Sequence, residues 1–205
     1  MFSQKGEKCT EPTRFLIHKN IYKLTEKFLV NLAKQYNLGG QFEDNIQQGA
    51  QNNTAQFRKI MGFIERSDCN LLTGGKAASH INGGKGYFIE PTIYGDVDNS
   101  SEIAQKEIFG PVLSLTKFEN ENQAIEIAND SNYGLAAGFY TANSKRVHRV
   151  AEALEAGMIF ANRYGMYALS SPFGGFKQSG WGKELGIHSI QTYTKTKSVW
   201  VYHGS

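Results

Sequence analysis

Short apolar runs alternate with helically spaced apolar stripes along this chain, and that alternation sets the expected fold. Arg14–His18 reads as a strand. Asn20 is positioned to cap a helix in which Ile21, Leu24, Phe28, Leu32 and Tyr36 fall near helical spacing, with Gly39-Gly40 as its stop. Thr54 is a second cap, followed by Phe57, Ile60, Met61 and Ile64 at i, i+3, i+4 and i+7. Residues 71–72 and 87–89 read as strands around a Gly-rich connection. Beyond Pro111 the alternation becomes regular. Strands are expected at 112–118, 135–141 and 158–161. Between them lie a helix at 122–130, with Ala124, Ile127 and Ala128 inward, and one capped by Asn143 or Ser144 that carries Val147, Val150, Ala151 and Leu154. Gly157 ends that second helix. After Gly182 come a last helix and the alternating residues 198–202, a terminal strand.

Strand, helix, strand, helix, strand in this order predicts an α/β fold. Its core is an open, mostly parallel twisted sheet with helices on both faces. The 205 residues suffice for one well-packed domain, or one domain with an appendage. A net charge of +3 without a run of basic residues gives no footprint for nucleic acid. No apolar stretch is long enough to span a bilayer, and residues 1–4 lack the apolar segment of a secretory signal. Two cysteines sixty residues apart make no disulfide framework, so a reducing, cytoplasmic location is expected. The five histidines form no cluster, and no metal site is expected.

Chemistry enters at Cys9, in Lys5-Gly6-Glu7-Lys8-Cys9-Thr10-Glu11-Pro12-Thr13-Arg14. A cysteine can simply be a small buried apolar side chain. On a Gly-preceded loop, with Lys5, Lys8 and Arg14 nearby to favour the thiolate, it is also a candidate nucleophile. Cys69, after the charged end of a helix, reads as structural. Glu107-Ile108-Phe109-Gly110-Pro111 can be a loop entering a strand, with Pro111 tolerated at the strand start and Phe109 in the core. Tyr164, Tyr167 and Phe173 can likewise be core aromatics.

Taken together, the cysteine loop, the Glu-Ile-Phe-Gly-Pro segment and Pro172-Phe173-Gly174-Gly175-Phe176-Lys177-Gln178-Ser179-Gly180 resemble the aldehyde dehydrogenase superfamily over nearly the whole sequence. Gly6, Cys9 and Arg14 match the way that family presents its nucleophile. The resemblance implies that Cys9 attacks an aldehyde to give a thiohemiacetal, that hydride leaves to NAD or NADP, and that the thioester is hydrolysed. It makes Glu107 the acceptor for the nicotinamide ribose and Phe109 the wall behind the nicotinamide. It makes Tyr164, Tyr167 and Phe173 walls of the aldehyde pocket, suited to an apolar or a quaternary ammonium aldehyde. Asn162 takes a structural role. By this resemblance residues 1–190 are an aldehyde dehydrogenase catalytic domain and 191–205 an oligomerisation arm.

The chain departs from the pattern at Glu7, where Gln is usual, at Glu11, where a small residue is usual, and at Gly49-Ala50, where Gly-Pro is usual. A carboxylate beside Cys9 would disfavour its thiolate. No Gly-x-Gly-x-x-Gly follows a strand, and the family's general base and second oxyanion donor lie upstream of its cysteine. Losing a positioned base costs roughly two to four orders of magnitude, so the chain alone is expected to be an incompetent dehydrogenase. A second expectation is a non-catalytic module that binds full-length relatives or copies of itself through residues 193–202 added to a neighbouring sheet. A third is a thiol-reactive domain that shows only esterase-like acylation at Cys9.

Overall fold

The computed structural model describes residues 1–204 and divides into two compact units, Met1–Ser131 and the remainder from Asn132. Each has its own sheet, and the architecture is α/β with a mostly parallel open sheet.

In the first unit the strands are β1 (Arg14–His18), β2 (Asn70–Thr73), β3 (Thr92–Gly95) and β4 (Val112–Phe118). They lie in the order β1-β4-β3-β2, with β1 and β3 parallel to β4 and β2 antiparallel on the far edge. β4 is central because residues 112–116 are buried on both faces, the near-continuous burial of a parallel strand. Its two hydroxyls are satisfied: Ser114 Oγ donates to the Thr13 carbonyl and Thr116 Oγ1 to the Val97 carbonyl.

Helix α2 (Thr54–Arg66) is capped by Asn53 rather than Thr54, because the Asn53 carboxamide oxygen accepts the Gln56 N–H at 2.9 Å. Its face of Ile60, Phe63 and Ile64 packs with Ile89, Tyr94, Ile103, Ile108 and Val112. Helix α1 (Tyr22–Lys34) behaves differently from its sequence pattern. It ends at Lys34, short of Gly39, and Asn20 sits inside a preceding 3-10 turn at Lys19–Ile21. Tyr22 and Ala33 face the core, whereas the stripe carrying Leu24 (74 % exposed) and Phe28 (63 %) faces outward. Residues 87–89 form no strand; Phe88 and Ile89 are buried, and the strand lies at β3 instead. Two short helices, α3 (Glu102–Gln105) and α4 (Glu121–Asn129), complete this unit. Ala124, Ile127 and Ala128 are only half-buried.

In the second unit β6 (Ala136–Phe139) and β7 (Met158–Ala161) pair in parallel through α5 (Ser144–Ala153), which Asn143 caps by accepting the Arg146 N–H. A small antiparallel pair, β5 (Tyr133–Gly134) and β8 (Phe176–Lys177), adjoins them. The last helix, α6, is Ile190–Tyr193. Among the described residues the segment 194–204 has neither helix nor ladder, and Trp200 and Tyr202 are almost fully exposed. The strand expected at 198–202 is not formed among the described residues.

Candidate active site

Three successive tight turns shape the cysteine loop. A 3-10 turn at Phe2–Gln4 is anchored by buried Phe2, whose ring meets Tyr36 edge-on at 5.8 Å. Lys5 adopts a left-handed conformation and its N–H returns to the Phe2 carbonyl; the Glu7 N–H returns to Gln4 and the Glu11 N–H to Lys8. Gly6, at φ +72°, is forced by close approach: a Cβ there would lie 2.0 Å from the Gly110 carbonyl oxygen and 2.7 Å from the Pro111 nitrogen. The cysteine loop therefore lies backbone to backbone against the Glu-Ile-Phe-Gly-Pro segment. Cys9 is exposed and precedes buried Thr10, which leads into β1.

Glu7 does not stand as a bare carboxylate beside the thiol. It pairs with Lys5 at 3.0 Å and accepts the Asn52 N–H at 3.0 Å, tying the loop to the start of α2. Arg14 does not serve the thiolate either. Its guanidinium donates to the Ile127 and Ala128 carbonyls at the end of α4 and to Asn99 Oδ1. Burial lowers its pKa, opposed by the nearby Asp130. The arginine is thus a long-range staple for a helix C-terminus, where cations are favoured.

Across from Gly6, Glu107 is exposed and Ile108 is buried. Phe109 is half-buried with φ +57°, a left-handed conformation that is rare for a bulky residue. Gln56, in the first turn of α2, donates from Nε2 to the Phe109 carbonyl at 2.5 Å and to the Ile108 carbonyl at 3.4 Å. A Cβ on Gly110 would strike Ile60 at 2.5 Å, so α2 backs this corner from the other side. The structure thus brings Gly6, three positions before Cys9, to the segment that holds Glu107 and Phe109. Reading along the sequence missed Gln56, whose partners lie more than fifty positions away; only its place on the first turn of a capped helix could have hinted at it.

Tyr164, Tyr167 and Phe173 belong to the second unit and do cluster. Tyr167 meets Phe173 at 5.9 Å, and Phe160 of β7 joins Tyr164 at 4.9 Å and Tyr167 at 5.6 Å. Phe160 is the member that strand periodicity hides. Asn162 is structural: its Oδ1 accepts the Thr141 N–H at 2.7 Å. Cys69 packs half-buried against the core around α2. Among the described residues no helix is long and apolar enough to cross a membrane, and no group of His, Cys, Asp and Glu could hold a metal ion.

Residues 1–199 match the model of the aldehyde dehydrogenase family. An aldehyde dehydrogenase of Emericella nidulans is 40 % identical over 97 % of this chain and 40 % of its own length. The human mitochondrial aldehyde dehydrogenase is 38 % identical over 98 % of this chain and 39 % of its own length. The NAD+ complex of an aldehyde dehydrogenase from Bacillus cereus superposes with a TM-score of 0.91 at 38 % identity, covering 96 % of this chain and 40 % of that one. The chain therefore spans about 40 % of the length of the relatives it matches.

Proposed function

This chain belongs to the aldehyde dehydrogenase family, and on that footing we propose that it is the C-terminal catalytic portion of an enzyme oxidising an aldehyde to a carboxylic acid with NAD or NADP. The supporting observation is the packing of Gly6 on Gly110, which sets the loop of exposed Cys9 beside the Phe109 corner.

In this reading the Cys9 thiolate adds to the aldehyde carbon, forming a C–S bond and an alkoxide. The Cys9 backbone N–H steadies that oxyanion. Collapse of the alkoxide to a carbonyl would expel hydride from the carbon, and a nicotinamide cofactor, when bound, would supply the acceptor. The thioester left on Cys9 then takes water, giving the acid and restoring the thiol. The donor set fits such a cofactor: Glu107 is an exposed carboxylate able to accept from both ribose hydroxyls, and Phe109 offers a flat apolar face. Within the second unit, Tyr164, Tyr167 and Phe173 are the proposed aldehyde-binding residues, because their clustered aromatic faces suit an apolar or cationic chain. None of these residues is a general base or a pyrophosphate site, so the chain alone should turn over slower by roughly two to four orders of magnitude.

The test is reduced nicotinamide formed from an aliphatic aldehyde and NAD+ or NADP+, with the chain alone and with a full-length relative. A Cys9→Ala chain should abolish whatever activity the chain contributes. An undiminished rate in that variant overturns the assignment.

One observation favours a second, non-catalytic reading. Tyr193, at the end of α6, and Trp200, Val201 and Tyr202, within residues 194–204 that form neither helix nor ladder, are largely exposed. Here residues 1–190 form the domain and 191–205 an arm that adds to the sheet of a second copy or of a full-length relative. Sedimentation with and without residues 191–205 distinguishes it: loss of association on deletion supports the arm, unchanged association excludes it.

A further inference from the structure

We propose that Gln56 is a positioning residue that locks Phe109 in its left-handed conformation, and with it the aromatic wall beside the cysteine loop. The inference rests on the reading of Phe109 as the nicotinamide wall for its consequence, though not for its geometry. Two carbonyl oxygens, of Ile108 and Phe109, face the Gln56 carboxamide, so only the amide NH2 can meet them. The Phe109 bond, at 2.5 Å, is the shorter. A left-handed bulky residue is strained and persists only where its surroundings over-determine it. Here three contacts do so: Gln56 on the carbonyl, Gly6 on the following peptide, and Ile60 behind Gly110. Two of the three are packing contacts that any compact corner would make. Gln56 is the directional one. It is itself fixed, since its backbone N–H is taken by the Asn53 cap and its helix carries the core face of Ile60, Phe63 and Ile64. With the bond removed, Phe109 would relax towards the extended region, and its ring would swing away from the position the corner now imposes.

The isosteric variant Gln56→Glu isolates the donor, because a carboxylate only accepts hydrogen bonds. Backbone couplings and Cα shifts of Phe109, read by NMR on the full chain, report its φ directly. We expect the left-handed signature to be lost in Gln56→Ala and, near pH 7, in Gln56→Glu. In Gln56→Glu it should return as the pH falls through about 4 and the carboxyl regains an O–H donor; Gln56→Ala should show no such recovery. Persistence of the signature in Gln56→Ala, or absence of acid recovery in Gln56→Glu, overturns the lock. In the reduced-nicotinamide assay with the full-length relative, Gln56→Glu should lower the kcat of the contributed activity about tenfold with little change in aldehyde KM. An unchanged kcat in a variant that has lost the signature overturns the positioning role. If instead Cys9→Ala leaves the activity intact, the functional reading fails while the NMR result still decides the lock.

Discussion

Around Gly6 the chain is fixed by backbone against backbone, whereas around Tyr167 it is fixed by ring against ring. At the first corner the held groups are backbone groups: Gly6 abuts the Gly110 carbonyl, the Glu7 carboxylate accepts the Asn52 N–H, and the Gln56 side chain donates to the Phe109 carbonyl. The second is a set of tilted and edge-on aromatic contacts on a segment where Met166, Tyr167 and Leu169 are exposed. In the proposed reading a nucleophile and a hydride acceptor meet at the first corner, a task of tight tolerance that suits directional holds on the backbone. In the same reading the second region would line a pocket, and rings held by one another can be exchanged at small cost to the domain.

Replacing glycines in the two regions breaks this comparison most sharply. Gly6→Ala should cost about 3–5 kcal/mol, since it combines a positive φ with a clash that only backbone movement relieves. Gly165→Ala shares the positive φ, at +79°, but meets nothing within 4 Å, and should cost only about 1–2 kcal/mol. Denaturant titration of both variants measures the difference; equal costs would show that the cysteine loop is no better fixed than the aromatic one.

Alkali sharpens the contrast next. Tyr22, fully buried under β4, accepts the Asp96 N–H at 2.6 Å and donates to the Leu115 carbonyl at 3.4 Å. Burial first, then the Asp96 and Glu26 charges, raises its pKa to about 12. A phenol whose pKa is raised on folding stabilises the fold fully below about pH 10, where the unfolded chain begins to ionise. That contribution, on the order of 2–3 kcal/mol, is lost as the pH climbs towards 12. Hydrogen exchange at β4 amides should accelerate over this window, and Tyr22→Phe should flatten the change. Both tryptophans, Trp181 and Trp200, lie in the second unit, so their emission is a separate reporter there.

Tyr167→Ala should cost only about 1 kcal/mol, because the residue is 43 % exposed, and if the proposed pocket reading holds it should alter aldehyde KM more than stability. A large loss of stability instead would make this residue part of a core. The smallest effect is expected from Leu24→Glu with Phe28→Glu on the outward face of α1, within about 0.5 kcal/mol by thermal melting.

That last pair also marks how far the sequence could be read. The spacing of Ile21, Leu24, Phe28 and Leu32 locates a helix but not its buried side, which tertiary packing assigned to Tyr22 and Ala33. For α2 the same logic worked, because Ile60 and Ile64 do face the core and Phe57 and Met61 pack against it. Strands β1, β4 and β7 were legible from their apolar runs, whereas β3 was displaced to 87–89, where buried Phe88 and Ile89 lie outside any strand. At the candidate site, the family resemblance pointed to Cys9, Glu107 and Phe109. Arg14 and Gln56 escaped because their partners lie far along the chain: Arg14 reads as a thiolate neighbour until the Ile127 and Ala128 carbonyls are seen to claim it.

In the proposed function, the Gly6–Gly110 contact presents Cys9 for acyl chemistry. Treating the chain with p-nitrophenyl acetate and locating the acetyl group by peptide mass spectrometry tests it most directly. Cys9 should be acylated at least about tenfold faster than Cys69, with the advantage lost in Gly6→Ala. Equal labelling of the two cysteines, or a Cys9 rate untouched by Gly6→Ala, would contradict the account.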